Sequence, residues 1–300
     1  MKASLLDLVN DFIEQHQLPK TFIDTIVEHY LPLAQWINQQ RAPQRCYFIG
    51  ISGAQGTGKS TLSALLKIIL EHEYACNTAT LSLDDLYLSS AEREKLSQKI
   101  HPLMKTRGVP GSHNVRRGLV LFDALNNLQE QQFLALPRFD KANDEAFPKA
   151  QWPAISGPVG VVLFEGWCVG ASACTDEELV KPVNELEAIE DADGTWRRYI
   201  NEQLETHYQQ LFAPMERLIM LQAPDFASIR RWRWRQEEKL AAQGMSSQGS
   251  ALMDRPTIER FIQHFERLTR QSLKQLPPGA DILFELDSNQ RIIRSHYAKP

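Results

Sequence analysis

Cysteine is scarce, with four residues in a chain of 300 and no C-x-x-C pair among Cys46, Cys76, Cys168 and Cys174. That scarcity excludes a disulfide-stapled framework and speaks against a zinc site, leaving buried free thiols. No apolar run approaches the ~20 residues of a membrane-spanning helix. Internal repeats and low-complexity tracts are missing too. Nor is there an excess of one charge: 33 Lys and Arg stand against 37 Asp and Glu, a formal net charge of -4. No global field therefore favours nucleic acid. The opening "MKASLLDLVNDF" lacks the uninterrupted apolar core of a signal peptide, because Asp7 and Asp11 interrupt it. These absences predict a cytoplasmic protein whose partner is neither membrane nor nucleic acid.

What is present is an ordinary globular composition, 43% hydrophobic and 23% charged, at the upper end of a single domain. From Ser4 to Gln40 apolar residues recur at three and four positions, as in two amphipathic helices. The pattern then changes to short apolar runs, "CYFIGIS", "TATLS", "VGVVLFEG", "RLIMLQ" and "DILFEL", separated by helix-period segments. Strands covered by helices on both faces look like this. The expected fold is α/β: an open, doubly wound, mainly parallel sheet with helices on both faces. Residues 1–44 form a helical N-terminal extension packed on a core domain of residues 45–300, with a helical lid at about 224–257. Within the lid, Ala241–Pro256 is rich in Gly and Ser and reads as a mobile loop.

"GAQGTGKST", Gly53 to Thr61, fills the pattern G-x-x-x-x-G-K-[ST] between the first strand and a helix. Glycines let the backbone wrap a phosphate, successive N–H groups form an anion nest, and the helix N-terminus adds its positive end. Gly53, Ala54, Gln55, Gly56, Thr57, Gly58, Lys59, Ser60 and Thr61 are thus the expected binding residues for a nucleotide triphosphate, making this a P-loop NTPase fold. Lys59 reaches the outer phosphates, and the Ser60 hydroxyl ligates Mg²⁺.

Acids end two later strands: Asp84 and Asp85 in "LSLDDLY", and Glu165 in "VVLFEGW". Ligands of an open α/β sheet gather at the carboxyl ends of its strands. Glu165 is assigned to the metal side and Asp84 to the role of base, while Asp85 reads as a cap or loop residue. Tyr87, in the same stretch, is grouped with the acceptor. "RRWRWRQEEK" puts Arg231, Arg233 and Arg235 on one helical segment, where an arginine over a developing phosphoryl charge and a closing lid are both useful. Trp232 and Trp234 read as packing. "TRGVPGSHN" offers Arg107 and His113, and "LPRFDKA" offers Arg138, Asp140 and Lys141. Guanidinium groups there suit an acceptor with a carboxylate or phosphate.

"GISGAQGTGKST", "LSLDDLY", "RGVPGSHN", "PRFDKA", "VVLFEGW" and "RWRWRQE" follow one another in an order that resembles the D-glycerate 3-kinases of plants and fungi and their bacterial relatives. These belong to the wider phosphoribulokinase, uridine kinase and pantothenate kinase group. The resemblance spans residues 45–290 and includes "LVKPVNELEAIED". It implies ATP-dependent phosphorylation, with Mg²⁺, of the 3-hydroxyl of D-glycerate. Asp84 would take the hydroxyl proton, the arginines after Pro224 would form the lid, and Arg107, His113 and Arg138 would line the acceptor site. Two departures lie on the acceptor side: Asn114 replaces the family's usual Asp, and the short "ANDEAFPKAQW" replaces a Gly-Arg-rich insert. Alternatives are a kinase of another metabolite, such as a nucleoside or pantothenate, and a nucleotide-dependent switch or assembly factor.

Overall fold

Seven consecutive buried residues, Tyr47–Gly53, make β1, a strand with helices on both sides and no solvent face. The computed structural model describes residues 3–42, 45–242 and 255–298. Before β1 come α1 (Ala3–Gln15), α2 (Phe22–Thr25) and α3 (Leu31–Gln40), the last two joined through a π-helical turn, Ile26–Tyr30. That turn precedes Pro32, which has no N–H to donate to an ordinary helical ladder, so the ladder widens there. After β1 follow α4 (Lys59–Tyr74), β2 (Thr78–Ser82), α5 (Ser90–Lys99) and α6 (Val115–Asn126). Short strands β3 (Phe133–Ala135), β4 (Phe139–Asp140), β5 (Glu145–Ala146) and β6 (Ala154–Ser156) lead to β7 (Val161–Gly166). Then come α7 (Asp176–Val180), α8 (Glu185–Glu190), α9 (Thr195–Gln203), α10 (Gln209–Phe212) and β8 (Arg217–Gln222). The described chain closes with α11 (Phe226–Ala242), α12 (Arg255–Gln275), β9 (Ile282–Leu286) and β10 (Ile292–Tyr297).

The central sheet runs β10-β9-β8-β1-β7-β2. All neighbours in it are parallel except the edge strand β10, which is antiparallel to β9. This is the P-loop NTPase fold, with a doubly wound, mainly parallel sheet between helices. β1 sits between β7 and β8, so the loop leaving its carboxyl end opens at the topological switch point, where such sheets bind ligands.

Alternate residues of β1 and β7 enter opposite cores. Ile49, Ile51, Val161 and Leu163 join a cluster with Leu62 and Leu66 of α4 and with Leu5, Val9, Leu33 and Ile37 of the N-terminal helices. Phe48, Val162 and Phe164 join the other, with Phe122 of α6 and Trp196 and Ile200 of α9. Helix α12 contributes to both: Ile258 and Ile262 to the first, Phe265 and Leu268 to the second. Burial on this scale, at roughly 25 cal/mol per Å² of apolar surface, is what holds the sheet's carboxyl edge in place. Among the described residues no helix is long and apolar enough to cross a membrane. Of the stretch expected to be a mobile loop, Ala241 and Ala242 end α11 and Arg255 begins α12. Residues 243–254 lie outside the described residues.

Candidate active site

The phosphate loop is shaped by its own backbone. Gly56 and Gly58 have φ of +84° and +91°, a region that L side chains avoid, so glycine is required at both. Gly58 is also the N-cap of α4. The Thr57 hydroxyl donates to the Ala54 carbonyl at 2.8 Å, and Lys59 Nζ donates to the same oxygen at 3.1 Å. From outside, Gln290 Nε2 donates to the Gly56 carbonyl, and Trp232 Nε1 donates to Ser288 O at 2.8 Å. Trp232 is therefore a buried brace for the loop.

Strand register sets the acids. Glu165 stands opposite Ser82 of β2 on one side and Ile51 of β1 on the other. It accepts from Ser60 Oγ at 2.8 Å. A hydroxyl beside a carboxylate is a hard oxygen pair that suits Mg²⁺, which takes most of its ligands from phosphate and water. No group of three or more His, Cys, Asp and Glu able to hold a metal occurs among the described residues.

Asp84 follows β2 in a short 3₁₀ turn, Leu83–Leu86, and its own N–H donates to the capping Ser82 hydroxyl at 3.2 Å. Both of its carboxylate oxygens are occupied. Tyr87 Oη donates to Oδ1 at 2.7 Å, and Lys141 Nζ donates to Oδ2 at 2.5 Å. Burial pushes Asp84 up, but the Lys141 charge and these hydrogen bonds outweigh it and leave the carboxyl below its ordinary value. Lys59 is lowered by burial, against the pull of Glu165 and Asp84. Asp85 turns the other way, receiving Arg138 Nη1 at 3.2 Å and the Phe139 N–H at 3.0 Å. It ties the β4–β5 hairpin to the end of β2.

These residues line one cleft of about 260 Å³, whose walls include Lys59, Ser60, Asp84, Tyr87, Glu165 and Lys141. Arg107 lines it as well, with its guanidinium donating to Asp144 Oδ1 at 2.5 Å and to the Lys141 carbonyl at 3.0 Å. Of the three arginines expected to belong to a lid, Arg233 lines the cleft, its Cζ 5.5 Å from the Phe261 ring centre and its Nη1 3.0 Å from Gln236 Oε1. Arg231 is turned back to Ser228 Oγ at 2.7 Å, and Arg235 is exposed away from the cleft. One helical turn cannot aim three residues spaced by two at one point.

Two expected acceptor residues are elsewhere. His113 is only 5% exposed and stacks behind Tyr87 at 4.7 Å, so the ring between it and the cleft denies it contact with an acceptor. Gly111 N–H donates to Tyr208 Oη at 3.0 Å, and the same hydroxyl shares a hydrogen bond with His113 Nδ1. Burial lowers the imidazole to about 4, so it is neutral at physiological pH. Arg138, held by Asp85, lines a neighbouring hollow with Ser63, Thr80 and Glu165 instead. Asn114 caps α6, its side chain accepting the Arg117 N–H at 2.9 Å, work that the family's usual Asp does equally well.

Several walls were not singled out from the sequence. Trp167 follows Glu165 and Gly166, donates from Nε1 to Gly108 O at 2.8 Å, and meets Phe265 edge-on at 5.0 Å. Phe261 and Phe265, four apart on α12, form the apolar roof. Their signal was ordinary helical periodicity, indistinguishable from core. From its sequence context Lys141 is one cation in the "LPRFDKA" cluster.

No protein-family model matches the chain. It is 24% identical over 274 residues to the chloroplastic D-glycerate 3-kinase of Arabidopsis thaliana, covering 85% of this chain and 57% of that protein. The chain thus spans little more than half the length of that curated relative. An uncharacterized kinase of Schizosaccharomyces pombe is 29% identical over 254 residues, covering 81% and 86% of the two. Among solved structures, the D-glycerate 3-kinase of Cryptococcus neoformans superposes with a TM-score of 0.71 at 23% identity, covering 93% of this chain and 99% of that one.

Proposed function

Taking as premise that the chain is a P-loop kinase related to D-glycerate 3-kinase, we propose that it transfers the γ-phosphoryl group of ATP to a hydroxyl of a small carboxylate-bearing molecule, D-glycerate giving 3-phosphoglycerate. The observation that carries this reading is the opening of Asp84, Lys59 and the Ser60–Glu165 pair into a single cleft. A nucleotide switch has no use for a carboxylate base in a second half of its pocket.

The loop amides and Lys59 grip and neutralise the outer phosphates. Ser60 Oγ and Glu165, directly or through water, hold Mg²⁺, which when bound supplies charge neutralisation to the phosphates. The acceptor oxygen attacks the γ-phosphorus, forming a new P–O bond as the bond to the β,γ-bridging oxygen breaks. The electron pair of that bond leaves with ADP. The hydroxyl proton passes to Asp84 and then to water. Arg233 neutralises charge on the transferring group, and Phe261, Phe265 and Trp167 keep bulk water away from it. Arg107, fixed by Asp144, provides positive potential for the acceptor's carboxylate.

Coupled ADP release across a panel of hydroxy acids, nucleosides and pantothenate tests this. Turnover with D-glycerate well above the others is expected. No turnover with D-glycerate beside strong turnover with another acceptor refutes the substrate and leaves a kinase.

A further inference from the structure

The β4–β5 hairpin brings a cation to the base and does so on a fixed backbone. Arg107 Nη2 holds the Lys141 carbonyl at 3.0 Å, and Arg107 and the buried Arg93 both donate to Asp144 in the same turn. Asp85 holds the Phe139 N–H at the other end. The Lys141 side chain, by contrast, is 59% exposed and anchored through its 2.5 Å contact with Asp84. It can swing without disturbing the turn that carries it.

The other cations of the cleft are held in place. Lys59 belongs to the phosphates, Arg233 lies over Phe261, and Arg107, tied to Asp144 and to the Lys141 carbonyl, lends the acceptor's carboxylate its field without changing partner. Lys141 is paired with the very carboxylate that must accept a proton. Around Asp84 the remaining facing groups are Tyr87, the neutral His113, Lys59, and the acidic or neutral Glu165, Asp85 and Cys168. An anionic acceptor brought beside Asp84 meets like charge unless a cation stands between the two. A lysine ammonium, a compact charge on a flexible stem, suits that exchange better than a forked guanidinium.

We propose that Lys141 determines acceptor specificity by changing partner: its ammonium clamps Asp84 in the empty cleft and passes to the acceptor's carboxylate on binding, freeing Asp84 Oδ2 for the hydroxyl proton. The inference rests on the kinase reading above. It gives the enzyme a base that is released by the anionic group of its own substrate. Without such an acceptor the clamp stays closed, and water in the cleft finds no free base, so ATP is spared.

Lys141→Met and Lys141→Arg test it by ADP release, first with no acceptor and then with D-glycerate and its neutral counterpart glycerol. Without acceptor, Lys141→Met hydrolyses ATP several-fold faster than the parent chain, and Lys141→Arg stays close to it. An unchanged or slower basal rate in Lys141→Met overturns the clamp, whatever the acceptor proves to be. With acceptors, Lys141→Met raises the KM for D-glycerate about tenfold while kcat/KM for glycerol holds or rises, and Lys141→Arg restores the preference only in part. Parallel loss with both acceptors means a merely structural lysine and overturns the proposal. Failure of the parent chain to use D-glycerate refutes the substrate reading alone, since the acceptor-free comparison is still decisive for Lys141.

Discussion

On the nucleotide side of the cleft, charge is positioned by nearby backbone: Lys59 donates to a carbonyl five residues away, and Gly56 and Gly58 take up their left-handed conformations within one short loop. On the acceptor side, charge is positioned by opposite charge from another segment. Asp84 and Lys141 are 57 residues apart, Arg107 and Asp144 are 37 apart, and Arg93 and Asp144 are 51 apart. The first arrangement is rigid and suits a ligand that never changes, the polyphosphate. The second is a set of exchangeable ion pairs, in which a substitution or a ligand redistributes partners without unfolding anything.

Four substitutions or conditions separate the two sides. Asp84→Asn is expected to lower kcat by about a thousandfold while ATP affinity, measured by calorimetry, stays near that of the parent. An active variant removes Asp84 from the base role, and lost ATP affinity shows that the two sides are not separable. Arg233→Ala should lower kcat by about a hundredfold, with Arg231→Ala and Arg235→Ala near unity. A larger loss in Arg231→Ala or Arg235→Ala than in Arg233→Ala would mean that the helix presents a different face to the cleft during turnover. Asp144→Asn strands the buried Arg93 guanidinium and loosens Arg107, for a loss of about 2 kcal/mol in urea unfolding and a raised acceptor KM. Full stability would show that Leu88 O and Lys105 O suffice for Arg93.

The last condition is pH, which acts on stability and not on the cleft. Burial lowers His113 and His264 to about 4, against 6.5 for a free imidazole. The unfolded chain therefore takes up protons first as pH falls. The stability due to neutral burial is complete above about 6.5 and is lost on acidification towards 4, with a slope of up to ~1.4 kcal/mol per pH unit for each histidine. Unfolding midpoints at pH 7 and pH 5 measure it, and His264→Gln should flatten the dependence. Equal midpoints in the parent chain would place the titration elsewhere.

The same contrast explains what could be read from the chain before its structure. Gly53 to Thr61 is a local motif whose spacing encodes a backbone shape, and the strand runs around it encode the sheet, so nucleotide side and fold were both legible. Strand ends were legible enough to single out Asp84 and Glu165. Aim was not: the arginine triad could not be resolved into Arg233 facing the cleft and two facing out, because helical phase relative to a neighbour depends on packing. As a lone residue His113 reads as a structural loop histidine, and it is the family resemblance of "RGVPGSH" that puts it among the acceptor contacts, yet Tyr87 stands between. The pairing of Lys141 with Asp84 depends on a hairpin whose anchors, Asp85, Arg93 and Arg107, lie well upstream of it, and no spacing rule connects them.

Gln290 reaches back 234 residues to the Gly56 carbonyl, and Trp232 braces the same turn by bonding Ser288. During synthesis the phosphate loop leaves the ribosome well ahead of that support and must wait 234 residues for it. A half-made chain therefore holds the motif without its scaffold. Clipping of the β9–β10 hairpin in a finished molecule would undo the nucleotide site from the far end of the sequence, with every motif residue intact.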